Sequence, residues 1–185
     1  EGAILPDTYV FRRGMTRQKL VDDMQAAQAK LLDALWASHV PEPEIASREQ
    51  AVTLASIVEK ETGKTSDQPL ISAVFNNRLV IGMRLQTDPT VTYGAGPAKG
   101  QEYDGNWLRA RADNNPWNTY LHAGLPPTPI AMPGKAALLA AVQPKPSRAL
   151  YFVAKGDGSS HFSASLDEHN RAVNRYQRGI QTAKD

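Results

Sequence analysis

The sequence predicts an α+β fold: a helical core with a small antiparallel sheet and a long Gly/Pro-rich loop region. Three observations carry that expectation. Apolar residues recur at spacings of three and four in the first part of the chain, the period of a helix. Two capping boxes, Ser47 with Gln50 and Ser165 with Glu168, mark helix starts. Near the C-terminus two strand-like runs, "ALYFVA" and "HFSAS", flank the turn "KGDGSS".

In chain order, Thr16 caps a helix in which Leu20, Met24, Ala27, Leu31 and Leu35 share one face, expected to be core, and the pattern stops before Pro41. "PEPEIAS" breaks it, and the Ser47 box opens a second helix that carries Glu59 and is expected to end at Gly63. A third helix is predicted from about Asp67 to Val80, with Pro69 in its first turn and Gly82 closing it. "MRLQTD" reads as a short strand. From Gly94 to Gly134, Gly and Pro recur every few residues, and Tyr93, Tyr103, Trp107, Trp117 and Tyr120 accompany this stretch. A connection that long is usually functional or disordered, and its aromatics argue against disorder. A short helix over about Pro133 to Val142, the two strands, and a terminal helix reaching about Thr182 complete the chain. No internal repeat is present, and 185 residues predict a single domain with room for a small subsidiary lobe.

Hydrophobic residues at 41% and charged residues at 22% are an ordinary balance for a soluble globular protein. A net charge of +2, with lysines and arginines scattered singly, gives no electrostatic footprint for nucleic acid. The absence of cysteine removes disulfides, thiolate metal sites and cysteine nucleophiles. The run "AALLAAV" is far shorter than the ~20 residues a membrane span needs. The chain opens on Glu1 without a signal sequence, which predicts a processed or excised fragment.

The chemistry centres on "LASIVEKET", residues 54–62. At ~100° per residue, Glu59 lies at the edge of the stripe formed by Ala51, Leu54, Ala55 and Val58. Glu61 lies roughly 160° around the helix from it, so the two cannot act as a same-helix pair. A glutamate near a helix end is usually solvated or salt-bridged. The apolar flank argues for more, because desolvation lifts a carboxyl pKa toward what a general acid needs. His39, His122, His161 and His169 show no metal-ligand spacing, no G-x-S-x-G elbow is present, and "GAGPAKG" lacks the ending of a phosphate loop. No metal or cofactor is implied. The loop aromatics, with Gln86, Asp88, Asn118 and Thr119, offer the stacking faces and polar groups of a sugar site, which points toward glycosidic bond cleavage.

The stretches "EGAILPDTYVF", "LASIVEKET", "VFNNRLVIGMRLQTDPTVTYG", "NTYLHAGLPPTPIAMPG" and "YFVAKGDGSSHFSASLDEHNRAV" resemble, in this order, the YceG-like family of endolytic murein transglycosylases. The resemblance implies the periplasmic catalytic region of a protein whose N-terminal helix anchors it in the bacterial cytoplasmic membrane, without that helix or the LysM-like region that follows it. It implies cleavage of the β-1,4 bond between N-acetylmuramic acid and N-acetylglucosamine in nascent peptidoglycan, leaving 1,6-anhydromuramic ends without consuming water. The family's catalytic glutamate is matched to the first glutamate of "VEKET", Glu59. Glu61, Gln86, Asp88, Tyr93, Asn118 and Tyr120 lie in family motifs and are assigned to shaping the groove or steering Glu59. Peptidoglycan synthases, the penicillin-binding proteins, are the implied protein partners. The family pattern usually reads "YNTY" and "GLPPGPI", so Trp117 and Thr128 depart from it, and Thr128 replaces a residue free to adopt positive φ. His161 and His169 are read as structural. Two rivals stand beside this reading: a hydrolytic muramidase with Asp88 as second carboxylate, and a glycan-binding module in which Glu59 is structural.

Overall fold

A computed structural model describes residues 1–96 and 105–179. Tyr103, most of "GAGPAKG" and the end predicted for the last helix lie outside the described residues. Among the described residues seven helices and two strands follow in the order α1 (Arg17–Trp36), α2 (Arg48–Glu61), α3 (Gln68–Val80), α4 (Asp88–Ala95), α5 (Trp107–Ala112), α6 (Lys135–Val142), β1 (Tyr151–Ala154), β2 (Ser160–Ser163) and α7 (Leu166–Tyr176). The expected α+β architecture is what these elements build.

The centre is α2. Both halves of its capping box form: Ser47 Oγ accepts from the Gln50 N–H at 3.2 Å, and Gln50 Oε1 accepts from the Ser47 N–H at 3.1 Å. Every residue from Ala51 to Val58 is buried, so the helix is enclosed on all sides rather than along one stripe. Its neighbours are α6, α3 and α4. Alanines 137, 140 and 141 of α6 are buried and let the two backbones approach. The polar residues inside α2 are satisfied: Thr53 donates to the Glu49 carbonyl, and Ser56 donates to Thr53 and accepts from the Ile130 N–H.

The helix α1 is a cover, not a core element. Leu20, Met24, Ala27, Leu31 and Leu35 are only half-buried, and Gln28 is the helix's one buried residue. The contacts among α2, α3 and α6 already close the centre, leaving α1 to lie against α6 from outside. α3 ends as expected: Gly82 at φ +68° donates to Leu79 O and Met83 donates to Arg78 O, the two bonds of a Schellman motif.

"MRLQTD" forms no strand. Its groups are held by side chains and loops instead: the Leu85 carbonyl accepts from Arg78 at 2.7 Å, and the Gln86 N–H donates to the Thr119 carbonyl at 3.2 Å. Gln86 adopts φ +50°, and α4 begins at Asp88 directly afterwards. The Gly/Pro-rich region thus opens on the end of one helix and holds a second, α5, capped by Asn106. Further on, β1 and β2 pair antiparallel, Phe152 opposite Phe162, and α7 packs on both. Asp67, the N-cap of α3, accepts from the Ser160 N–H at 2.7 Å and ties the sheet to the helices. The Ser165–Glu168 box forms in full, and α7 ends at Tyr176, short of the expected reach.

Candidate active site

The last turn of α2 presents its two glutamates to different sides. Glu59 is half-buried, and its Oε2 accepts from the Gly134 N–H at 3.1 Å, at the N-cap of α6. Glu61, the final residue of α2, reaches the segment before α4, where the Thr87 hydroxyl donates to its Oε1. It lines a cavity of about 410 Å³.

Four elements supply the polar wall beside Glu61: Arg78 from α3, Gln86 from the irregular segment, Asp88 from the start of α4, and Tyr120 from the long loop. Phe75 and Leu85, each 1% exposed, are its most buried apolar residues. The loop is stitched down by buried hydroxyls. Thr119 Oγ1 accepts from the Thr87 N–H at 3.1 Å and lies 2.9 Å from Thr90 Oγ1. Asn118 is fully buried; its Nδ2 donates to the Arg111 and Asp113 carbonyls, and its Oδ1 accepts from the Tyr120 N–H. This framework sets the Tyr120 hydroxyl to donate to Asp88 Oδ1 at 2.5 Å, with the Arg111 guanidinium 4.2 Å from the Tyr120 ring centre.

The electrostatics favour a protonated carboxyl at Glu61. Burial pushes its pKa up, and the Asp88 charge adds to this, while the Thr87 hydrogen bond and the Arg78 charge oppose it. Burial and the Asp88 carboxylate raise the Tyr120 phenol, so Tyr120 is a neutral donor. Burial, then the charges of Arg78 and His161, lower His169, which also lines the cavity.

Of the residues expected at the site, Glu61, Gln86, Asp88 and Tyr120 share one cavity. Three do not line it. Glu59 is turned to the start of α6. Tyr93, 8% exposed, packs edge-on against Trp117 with ring centres 5.7 Å apart. Asn118 holds the loop from beneath. Sequence reasoning missed Arg78, Arg111, Tyr151 and His169, which reach the cavity from four separate elements and carry no shared local motif.

The sequence profile of the YceG-like family matches residues 1–175. The chain belongs to the YceG-like family. Similar proteins include the endolytic murein transglycosylase of Bacillus subtilis (strain 168), 35% identical over 176 residues that make up 95% of this chain and 48% of that protein. The endolytic murein transglycosylase of Streptococcus pneumoniae (strain ATCC BAA-255 / R6) is 35% identical over 94% of this chain and 31% of its own length. A 2.6 Å crystal structure of a YceG-like protein from Listeria monocytogenes aligns with a TM-score of 0.74 at 35% identity, covering 91% of this chain and 53% of that one. The YceG-like chain thus spans about half the length, or less, of these relatives.

Two departures from the usual family pattern prove to be partners: the Trp117 indole N–H donates to the Thr128 hydroxyl at 3.0 Å. Among the described residues Gln86 is the one non-glycine with positive φ, so Thr128 meets no backbone strain at its position. No helix among the described residues is long and apolar enough to cross a membrane.

Proposed function

We propose that this YceG-like chain is a peptidoglycan lytic transglycosylase whose acid–base residue is Glu61, the second glutamate of "VEKET", in place of Glu59. The observation that carries the choice is placement: Glu61 opens into the cavity beside Gln86, Asp88 and Tyr120, and Glu59 does not. A raised pKa makes Glu61 a proton donor closer to neutral pH than an ordinary carboxyl.

In this reading the β-1,4 bond between N-acetylmuramic acid and N-acetylglucosamine lies in the cavity. Glu61 gives its proton to the leaving glycosidic oxygen as an oxocarbenium-like centre develops. Glu61, now a carboxylate, takes the proton of the muramic C6 hydroxyl, whose oxygen attacks the anomeric carbon and closes the 1,6-anhydro ring. One carboxyl performs both transfers and no water enters. The Thr87 hydroxyl orients Glu61, and the Asp88 charge, itself held by Tyr120, stabilises positive charge at the anomeric centre. Acting inside strands, the enzyme limits their length. The whole protein works at the periplasmic face of the cytoplasmic membrane, where penicillin-binding proteins deliver new strands.

One observation favours a second reading, a hydrolytic muramidase: Asp88 shares the cavity with Glu61 and could activate water. Mass spectrometry of products from uncrosslinked glycan strands separates the two. Internal fragments ending in anhydromuramic acid, lost with Glu61→Gln and retained with Glu59→Gln, support the proposal. Ends heavier by one water mean a hydrolase, and loss of product with Glu59→Gln alone returns the acid to Glu59. A wild-type chain that binds strands but cleaves none is a glycan-binding module.

A further inference from the structure

The acid–base chemistry leaves one wall of the cavity unused. It is built by α7 and β1. His169 of α7 lines the cavity and stacks on Tyr151 of β1, ring centres 5.2 Å apart and planes 23° from parallel, which sets the plane of the imidazole. Its Nδ1 is sealed from solvent and has no hydrogen-bond partner among the described residues. A sealed polar atom of this kind needs an explanation.

Burial and the Arg78 charge disfavour the imidazolium, so the ring carries a single N–H. A proton on Nδ1 would be a buried donor without an acceptor, in the field of a guanidinium; a bare lone pair there costs less. The proton therefore resides on Nε2. With Nδ1 sealed, the Nε2–H is the one polar group of the ring left to meet the cavity that His169 lines.

Apolar side chains line the same cavity alongside Arg78 and Arg111. Leu166, one turn before His169 on the same face of α7, lines the cavity and is 54% exposed despite its aliphatic side chain. Phe152, next to Tyr151 on β1, lines it as well. One fixed neutral donor beside apolar carbon is the complement of an acetamido group, which joins one carbonyl acceptor to one methyl. A free amine at the same place would bring an ammonium to an N–H donor and toward the Arg78 charge.

We infer that His169, Leu166 and Phe152 form a subsite for the 2-acetamido group of the glycan, with His169 Nε2–H donating to the acetamido carbonyl and the two apolar side chains covering the methyl. This rests on the glycan reading above and adds to it a requirement for N-acetylation of the sugar in the cavity. His169 becomes a specificity residue, where its sequence context had suggested a structural one.

The test is calorimetric titration of the chain with peptide-free glycan strands, N-acetylated or chemically de-N-acetylated, in the Glu61→Gln background. A preference of about 5- to 10-fold for N-acetylated strands is expected, the worth of one neutral hydrogen bond with some apolar contact. His169→Phe keeps a ring on Tyr151 but removes the donor and should abolish most of that preference. His169→Gln restores an N–H near the Nε2 position and should recover it, whereas a purely structural histidine would show no such rescue. Where strands are turned over, the loss from His169→Phe should fall mostly in KM. A preference that survives in His169→Phe, or equal binding of both strands by the parent, overturns the subsite. Should His169→Phe fail to fold, Leu166→Ser decides at an exposed position: unchanged preference overturns the inference. If strands bind with the expected preference but are never cleaved by the wild-type chain, the transglycosylase reading fails and the subsite stands. No binding of either strand overturns both.

Discussion

Replacing Thr87 by valine isolates the contact that steers the proposed acid. Thr87 is 2% exposed, and among the described residues its hydroxyl serves Glu61 alone, while its N–H is held separately by Thr119. Valine keeps the shape and removes only the O–H. That O–H favours the ionised carboxyl, so its loss must move the Glu61 pKa further in the direction burial has already pushed it. A hydrogen bond to a charged group is worth about 1.5–3 kcal/mol, and each pKa unit corresponds to about 1.4 kcal/mol. The neutral carboxyl also accepts the bond, more weakly, so the difference leaves an upward shift of about one unit. The alkaline limb of kcat/KM against pH reports the acid in the free enzyme and should move up by that amount, with Thr87→Ser as the control that keeps the hydroxyl. An alkaline limb that stays in place would refute the reasoning, since the Thr87 hydroxyl donates to Glu61 while Glu59 is held by Gly134, and a Glu59 acid would not register the change.

Three further outcomes are expected. Glu61 has a folded-state pKa above its ordinary 4.5, so the fold holds this proton more tightly than the unfolded chain, and stability falls as pH rises from 4.5 through the folded value. Glu61→Gln should therefore be more stable than wild type at pH 7 and lose that advantage below pH 4.5, as measured by urea unfolding at both pH values. Asn118→Ala leaves the Arg111 and Asp113 carbonyls and the Tyr120 N–H without their partner and should cost about 1–3 kcal/mol, read as a lower melting temperature together with weaker glycan binding as Tyr120 loses its support. Gln86→Gly relieves a φ of +50° and should leave stability unchanged or raised by up to about 1 kcal/mol. The same change should raise KM if the side chain contacts the glycan.

Most helices could be read from the sequence because their ends are local events. The boxes at Ser47 and Ser165 and the Schellman glycine at 82 each involve a few consecutive residues, and each forms as its spacing implies. The stretch 83–88 failed for the opposite reason. Its alternation suited a strand, but its carbonyls and N–H groups are satisfied by Arg78 and Thr119, one on an earlier helix and one about thirty residues on. The start of α4 was hidden in the same way: Thr87 stands at the N-cap, yet its hydroxyl makes no cap bond and turns to Glu61. The site was half legible. Four of its residues lie in stretches the sequence singled out, while Arg78, Arg111, Tyr151 and His169 meet only through tertiary folding.

The choice between the two glutamates shows where helical geometry stops being informative. A rotation of ~100° per residue correctly separates Glu59 from Glu61, but it cannot say which side is the cavity. An apolar stripe gives no reference direction on α2, because all eight residues from Ala51 to Val58 are buried. A helix enclosed on every side can expose polar groups only at its ends. Its last turn must then serve two surfaces at once. Glu59 accepts from the N–H of Gly134, the N-cap of α6, one of the two helices most closely packed on α2, and acts as a tether between them. Glu61 emerges into the cavity lined from α3, α4 and the long loop, its Oε1 accepting from Thr87 at the N-cap of α4. The tether and the proposed acid are thus consequences of one structural fact, and they predict different tolerances. Glu59→Gln keeps an acceptor for Gly134 and should preserve both fold and turnover, whereas Glu59→Ala removes it and should lower stability by about 1 kcal/mol. Glu61→Gln should do the reverse, keeping the fold and ending the chemistry.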